Sequence, residues 1–458
     1  MGYTPESVRV RRLAPTLIAI VALLVTACGA DGEAGVDTTS TTDGGAATAT
    51  TEATPDTVAT ATTIGAAECP MDGPLSVMAL EREQAVLEQA KSAFEADHPD
   101  VTVEIIPFAS GGFLELAQAV VADAAIGNAP HVIMTGLGNV TFAVDALDAV
   151  PIDETALSST YERRFLGAGT VDGELYVVPY QVSAPIWFYN KDMWTETGLD
   201  PASPPVTHGD LLEQLAAVAE TFGGEKVYMG SDSVGDWYFQ NAIQSAGAEL
   251  IAEDGTPAFD TPEAREGLSI WETAVTEGWQ INVLNEDART LFIQGELAMV
   301  TSSSANLARY DSEIGDAFEW GVFLHPYPDG AEPFWAIGGS GWAILAEEVC
   351  EAELSTEFIG SILSPDLIAE SNRTTGYVPV DNAAYELLEE FYAENPAWAV
   401  SLEFDDDLVE WGGWRGERGL EANLVLQDAM NRIAKGGESV DSVISDVAEQ
   451  VAELVAAG

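Results

Sequence analysis

The residues best suited to chemistry lie in one Gly/Trp loop, Trp411-Gly-Gly-Trp-Arg-Gly-Glu-Arg418, which carries Arg415 and Arg418. Cations are scarce in this chain: 17 Lys and Arg face 76 Asp and Glu, for a formal net charge of −59. An arginine fork can hold phosphate oxygens bidentately. A Trp/Arg loop also fits a neutral sugar, with the indole against its C–H face and the guanidinium donating to hydroxyls. Acidic pairs are everywhere, so carboxylates alone are no evidence for glycosidase chemistry. His98, His131, His208 and His325 show no metal-ligand spacing, and neither a P-loop nor a dinucleotide fingerprint is present, so no cofactor or metal is expected. Gly338-Gly-Ser-Gly341 departs from the nucleophile elbow, because Trp342 stands where that motif needs its second glycine. The charge balance argues against nucleic acid or an anionic membrane surface as partner and suits solubility in a salty external medium.

Two segments must position these groups. In Tyr176–Leu199 an apolar run meets Pro179, a polar patch at Gln181 and Ser183, then Pro185 and the β-prone cluster Ile186–Tyr189, before Asn190-Lys191-Asp192 opens a helix. The prolines fix φ and remove donors, which suits a strand leaving one globular unit for another. Before it, Leu75–Leu80, Glu83–His98 and Val101–Phe108 read as a βαβ unit, followed by a helix over Phe113–Ile126 and a strand at His131–Met134. After it come a helix over Thr207–Phe222, a strand at Lys226–Gly230, an aromatic-led helix at Trp237-Tyr238, and helices at Glu263–Glu277 and Glu286–Gln294. Leu297–Thr301 is a strand, Ser302–Ser304 cap the next helix, and the glycines of Trp335–Ile344 give the backbone flexibility of a hinge. Helices over Glu351–Leu363 and Pro365–Ser371 then precede Thr374–Val380.

Several of these phrases, in order, resemble extracellular solute-binding proteins of the ABC importer class, family 1: "GNAPHVIM", "VPY…YNKD…TGLDPASPP", "FIQGELAM", "GGSGW" and "TGYVPV". His131 stands where that family places Asp. The resemblance implies an α/β, two-lobed periplasmic-binding-protein fold of type II-like form, with lobes joined by crossover hinge strands. It implies a binding protein rather than an enzyme; a surface glycan-active enzyme is the remote alternative. A carbohydrate would be captured in the interlobe cleft and handed to ABC permease transmembrane subunits. A finer similarity points to the binders of glycerol-3-phosphate and glycerophosphodiesters, in which an arginine after the "ENP" region reaches the phosphate, a place that Arg415 or Arg418 fills. Against it, Val234 stands where the first of two paired tryptophans is expected. The ligand contacts implied are Ser183, Trp187, Trp237, Ser304, Gly339, Ser340, Tyr377, Arg415 and Arg418.

The first residues are addressing. Arg9, Arg11 and Arg12 precede the apolar stretch Leu13–Ala27, too short to span a bilayer, and Val25-Thr26-Ala27-Cys28 resembles a lipobox with Cys28 as the lipidated residue. Residues 1–27 are thus a lipoprotein signal peptide, and residues 28–68, rich in Thr and Ala, a disordered tether. The expectation is an exported monomer, held to the outer face of the cell membrane through its lipid alone. Residues 69–458 exceed one ordinary core. Residues 69–181 plus 302–344 are expected in lobe one, and 182–301 plus 345–458 in lobe two. Cys69 and Cys350, the thiols left after lipidation, are a candidate disulfide.

Overall fold

The computed structural model describes residues 71–457 apart from 72, 110, 111, 347, 405–407 and 417. The signal peptide, Cys28, the tether and Cys69 lie outside the described residues. Cys350 is disulfide-bonded.

The strands run β1 Leu75–Leu80, β2 Val103–Phe108, β3 Val132–Gly136, β4 Thr170–Val171, β5 Glu174–Leu175, β6 Val177–Ser183, β7 Pro185–Asn190, β8 Val227–Tyr228, β9 Met299–Ser303, β10 Trp320–Leu324, β11 Trp335–Ala336, β12 Gly338–Ile344 and β13 Leu408–Val409. The helices are α1 Gln84–Asp97, α2 Phe113–Ala124, α3 Val140–Leu147, α4 Lys191–Thr197, α5 His208–Phe222, α6 Gly235–Ser245 and α7 Pro262–Thr276, then α8 Asn285–Ile293, α9 Leu307–Ile314, α10 Val349–Ile362, α11 Pro365–Thr375, α12 Asn382–Glu394, α13 Gly419–Ala434 and α14 Val440–Ala457. Side-chain caps explain where several helices begin. Asn190 accepts from the Met193 amide at 3.0 Å to open α4, and Thr207 from the Asp210 amide at 3.3 Å to open α5.

Two sheets organise these elements, ordered β2-β1-β3-β12-β6 and β10-β7-β9-β8. The chain passes from the first to the second between Ser183 and Pro185, as the prolines require. Alternation along β7 divides the second sheet's two faces: Ile186 and Phe188 join the core shared with the first sheet, whereas Trp187 and Tyr189 join a second core with α5, α6, α7, α13 and α14.

Residue membership departs from the expected lobes in two places. Strand β10 pairs antiparallel with β7 in the second sheet, so 302–344 is split between the sheets and only β12 belongs to the first. Helices α10 to α12 and the segment to Phe404 bury Phe358, Ile362, Leu388 and Phe404 in the core of the first sheet. Sequence order misleads here because the return strand β12 feeds α10 straight back onto the sheet it has just joined.

The β12–β6 pair carries a register shift at Ser340/Gly341, and Gly339 sits at φ +110° beside it. A Cβ at Gly339 would lie 1.9 Å from the Gln181 carbonyl oxygen, so no side chain fits without moving the sheet. Gly339→Ala is expected to lower unfolding free energy by about 3 kcal/mol or more, from backbone strain plus overlap. Gly360, in the last turn of α10 with open space around it, supplies the contrast: Gly360→Ala should stabilise by up to about 1 kcal/mol. Denaturant melts of the two variants check both signs, and a Gly339→Ala midpoint equal to the parent's contradicts the geometry.

Candidate functional site

Strands β1, β3 and β6 run parallel within the first sheet, so their carboxyl ends share one edge, where open α/β sheets place ligands. The chain leaves that edge at Ser183 for the second sheet, which puts both crossings beside it.

At the end of β1 the turn Glu81–Glu83 delivers Arg82 and Glu83. Glu83 is buried at 4% exposure, yet it has partners: Gln181 Nε2 donates to both its carboxylate oxygens at 3.1 and 3.0 Å, and Arg82 Nε donates to Oε1 at 3.1 Å. Burial raises the Glu83 pKa, with Arg82 and Gln181 opposing it. Ser340 Oγ continues the chain by donating to Gln181 Oε1 at 3.3 Å. Above this buried carboxylate the Arg82 guanidinium, half-exposed, lies 5.4 Å from the centre of the Phe113 ring. Phe113 itself packs where a Gly136 side chain would be, at the carboxyl end of β3.

The second core contributes aromatic groups to the same edge. Trp237, in the first turn of α6, has its indole against Gly338 and donates Nε1–H to the Ala336 carbonyl at 2.9 Å. Ser183 Oγ meets the same Gly338 position. The Trp411 ring lies 6.2 Å from that of Trp237 and presses on Gly138 just beyond β3, with its buried Nε1–H unpartnered among the described residues. Asp236, beside Trp237 and 8% exposed, has its carboxyl pushed up to about 7 by burial.

The structure thus gathers Ser183, Trp237, Gly339 and Ser340 along the crossings. Tyr377, half-buried with Arg82 and Glu83 as its charged neighbours, faces the same network. Ser304 is fully buried and accepts from the Ala184 amide at 3.3 Å, and its carbonyl backs the Gly376 turn, so it clamps the crossing. Three expected contacts are placed otherwise. Trp187 is fully buried, stacked on Phe323 at 5.9 Å with an interplanar angle of 4°, because strand alternation turns it into the second core. Arg418 ion-pairs with Glu421 one helical turn on at 2.6 Å. Arg415 is held by Asp145 and Asp172 at 2.8 and 2.7 Å. Burial works to raise the Asp145 pKa, but the Arg415 hydrogen bonds and the Gly416 amide hold it below the ordinary carboxylate value.

Sequence reading missed Arg82 and Trp411. Arg82 hides in an E-R-E run that reads as a solvated charge cluster; its one legible signal is a rare cation directly after a strand that opens a βαβ unit. Trp411 stood in the loop singled out for its arginines.

Residues 89–400 match the family of bacterial extracellular solute-binding proteins. The sn-glycerol-3-phosphate-binding periplasmic protein UgpB of Shigella dysenteriae is 30% identical over 328 residues, covering 66% of this chain and 73% of that protein. Among solved structures, the cyclic α-maltosyl-1,6-maltose binding protein of Arthrobacter globiformis superposes with a TM-score of 0.72 at 22% identity, over 84% of this chain and 100% of the other. UgpB of Mycobacterium tuberculosis, in complex with glycerophosphocholine, gives a TM-score of 0.73 at 20% identity, over 84% and 99%.

Proposed function

The chain belongs to the bacterial extracellular solute-binding proteins, and from that premise we propose that it captures a carbohydrate at the edge between its two sheets and delivers it to an ABC permease. Two-domain solute-binding proteins share its fold. The observation that carries the sugar reading is electrostatic. Each arginine at this edge is already neutralised, Arg82 by Glu83 and Arg415 by two aspartates, so neither offers the uncompensated cation that a phosphate needs in so acidic a protein. Indole faces at Trp237 and Trp411, the unpartnered Trp411 N–H and the Ser183 hydroxyl suit a ring bearing hydroxyls. The terminal nitrogens of Arg82 have no hydrogen-bond partner among the described residues and present a fork to vicinal hydroxyls.

A second reading, glycerol-3-phosphate or a glycerophosphodiester, is favoured by the ligands in the relatives' names. Binding without turnover is the role; the protein returns its ligand unchanged. Tethering through lipidated Cys28, a monomeric state and a Cys69–Cys350 bridge belong to the same proposal. In it the lobes divide at the two crossings and close on the ligand.

Calorimetry with maltose, maltotriose, glycerol-3-phosphate and glycerophosphocholine tests the choice, alongside mass spectrometry of molecules that co-purify. A neutral saccharide is expected to bind, and Arg82→Ala to weaken it about tenfold or more, a loss on the scale of one good anchoring group. Tight binding of the glycerophosphates with no response to saccharides overturns the sugar reading.

A further inference from the structure

Helix α3 packs on β3 of the first sheet and on α2, burying Val140, Phe142, Ala143 and Leu147 in the shared core, and the β4–β5 turn that carries Asp172 packs on α3 and buries Val171 and Leu175 there too. The loop before α13 belongs to the other side. Trp414 lies in the second core, and Gly412 exchanges two hydrogen bonds with Gln240 of α6, at 3.0 and 3.2 Å. Arg415 therefore bridges the two cores. Its Nε donates to both oxygens of Asp145 at 3.2 and 2.9 Å, Nη2 donates to Asp145 Oδ1 at 2.8 Å, and Nη1 reaches Asp172 at 2.7 Å. The Gly416 amide donates to Asp145 at 2.7 Å, Thr141 Oγ1 to the Trp414 carbonyl at 3.0 Å, and Asn423 Nδ2 to the Gly138 carbonyl at 3.2 Å.

We propose that Arg415, with Asp145 and Asp172, is an ion-pair latch between the two cores that holds the cleft closed without any ligand. All three groups are supplied by the protein, so closure here does not wait for a ligand's own charge. Breaking the latch shifts the population toward an open form, and a ligand that needs the closed form then binds more weakly by the same factor. Even a neutral ligand consequently binds less well as salt rises, because salt screens a half-exposed ion pair. A salt-dependent affinity is therefore no signature of a phosphate in this protein.

The test needs no ligand, so it succeeds or fails whichever ligand the cleft takes. Amide hydrogen exchange and small-angle scattering are measured on the ligand-free parent, on Arg415→Ala, and on the double variant Asp145→Asn with Asp172→Asn. Arg418→Ala is the control, since its ion pair with Glu421 spans one turn at the start of α13. Both latch variants should exchange about three- to tenfold faster over 136–147 and 411–416, the scale of a bidentate, partly exposed ion pair with a second acid. Both should also show a larger radius of gyration, and Arg418→Ala should match the parent. Parental exchange in the latch variants overturns the proposal. So does faster exchange with unchanged scattering, which would make Arg415 a tether for its own loop only.

Discussion

Asp236→Asn is expected to stabilise the ligand-free protein at pH 8 and to leave it unchanged near pH 4. Burial pushes the Asp236 carboxyl up to about 7, against an ordinary value of 3.8, so the folded chain binds a proton that the unfolded chain has released between those values. Stability from this group is present below pH 3.8 and is lost as pH rises through about 7. Three units correspond to a ceiling of about 4 kcal/mol, and relaxation around the carboxylate will reduce it. His208 and His325 act with the opposite sign. Burial lowers them from 6.5 to about 4 and about 3, and both lie against the Pro326 carbonyl, so they remain neutral where the unfolded chain would protonate. Their contribution is present above pH 6.5 and is lost on acidification. His325→Phe, which keeps a ring stacked on Trp271, should flatten that acid limb without touching the alkaline one. Denaturant titrations at pH 4, 6 and 8 separate the two. An Asp236→Asn difference of equal size at every pH removes burial of the carboxylate as its cause.

Trp237→Ala is expected to lose well over tenfold in ligand affinity and, separately, about 3–5 kcal/mol of stability. The two losses have different origins. At 3% exposure the indole fills space between Gly338, Ser183 and Trp411, so truncation opens a cavity at the second crossing. It also removes the aromatic face and the Nε1–H bond to Ala336, which fixes β11 beside the cleft. Trp237→Phe keeps most of the packing and loses that bond, so it should fall between the two in both measurements. Calorimetry with the bound saccharide reports the affinity and denaturant melts report the stability. A Trp237→Ala protein with parental affinity and reduced stability would make the residue a packing group alone.

Local patterns carried much of this fold. The short apolar run Leu75–Leu80 reads as a buried strand and is one, and the Asn190 and Thr207 caps set the starts of α4 and α5. Pro179 and Pro185 mark the first crossing, and the glycines of Gly338–Gly341 mark the second. Each is a property of a few neighbouring residues, and therefore legible without a fold.

The sequence by itself determined the family, through matched phrases in order, and the place where the chain leaves the first sheet, because the backbone preferences of proline and the period of apolar residues act locally. Only the tertiary structure decided what each side chain does there. Trp187 and Ile186 are neighbours in the chain but face opposite cores, and composition cannot say which face a β strand turns to the cleft. Arg415 looked like a cation held for a ligand until Asp145 and Asp172, 270 and 243 residues away, came within hydrogen-bonding reach of it. Arg82 meets Gln181 only through the Glu83 carboxylate, to which both donate although Gln181 and Glu83 are 98 residues apart. Ion pairs and buried networks depend on distances across the chain, and those distances exist only once the two sheets have packed.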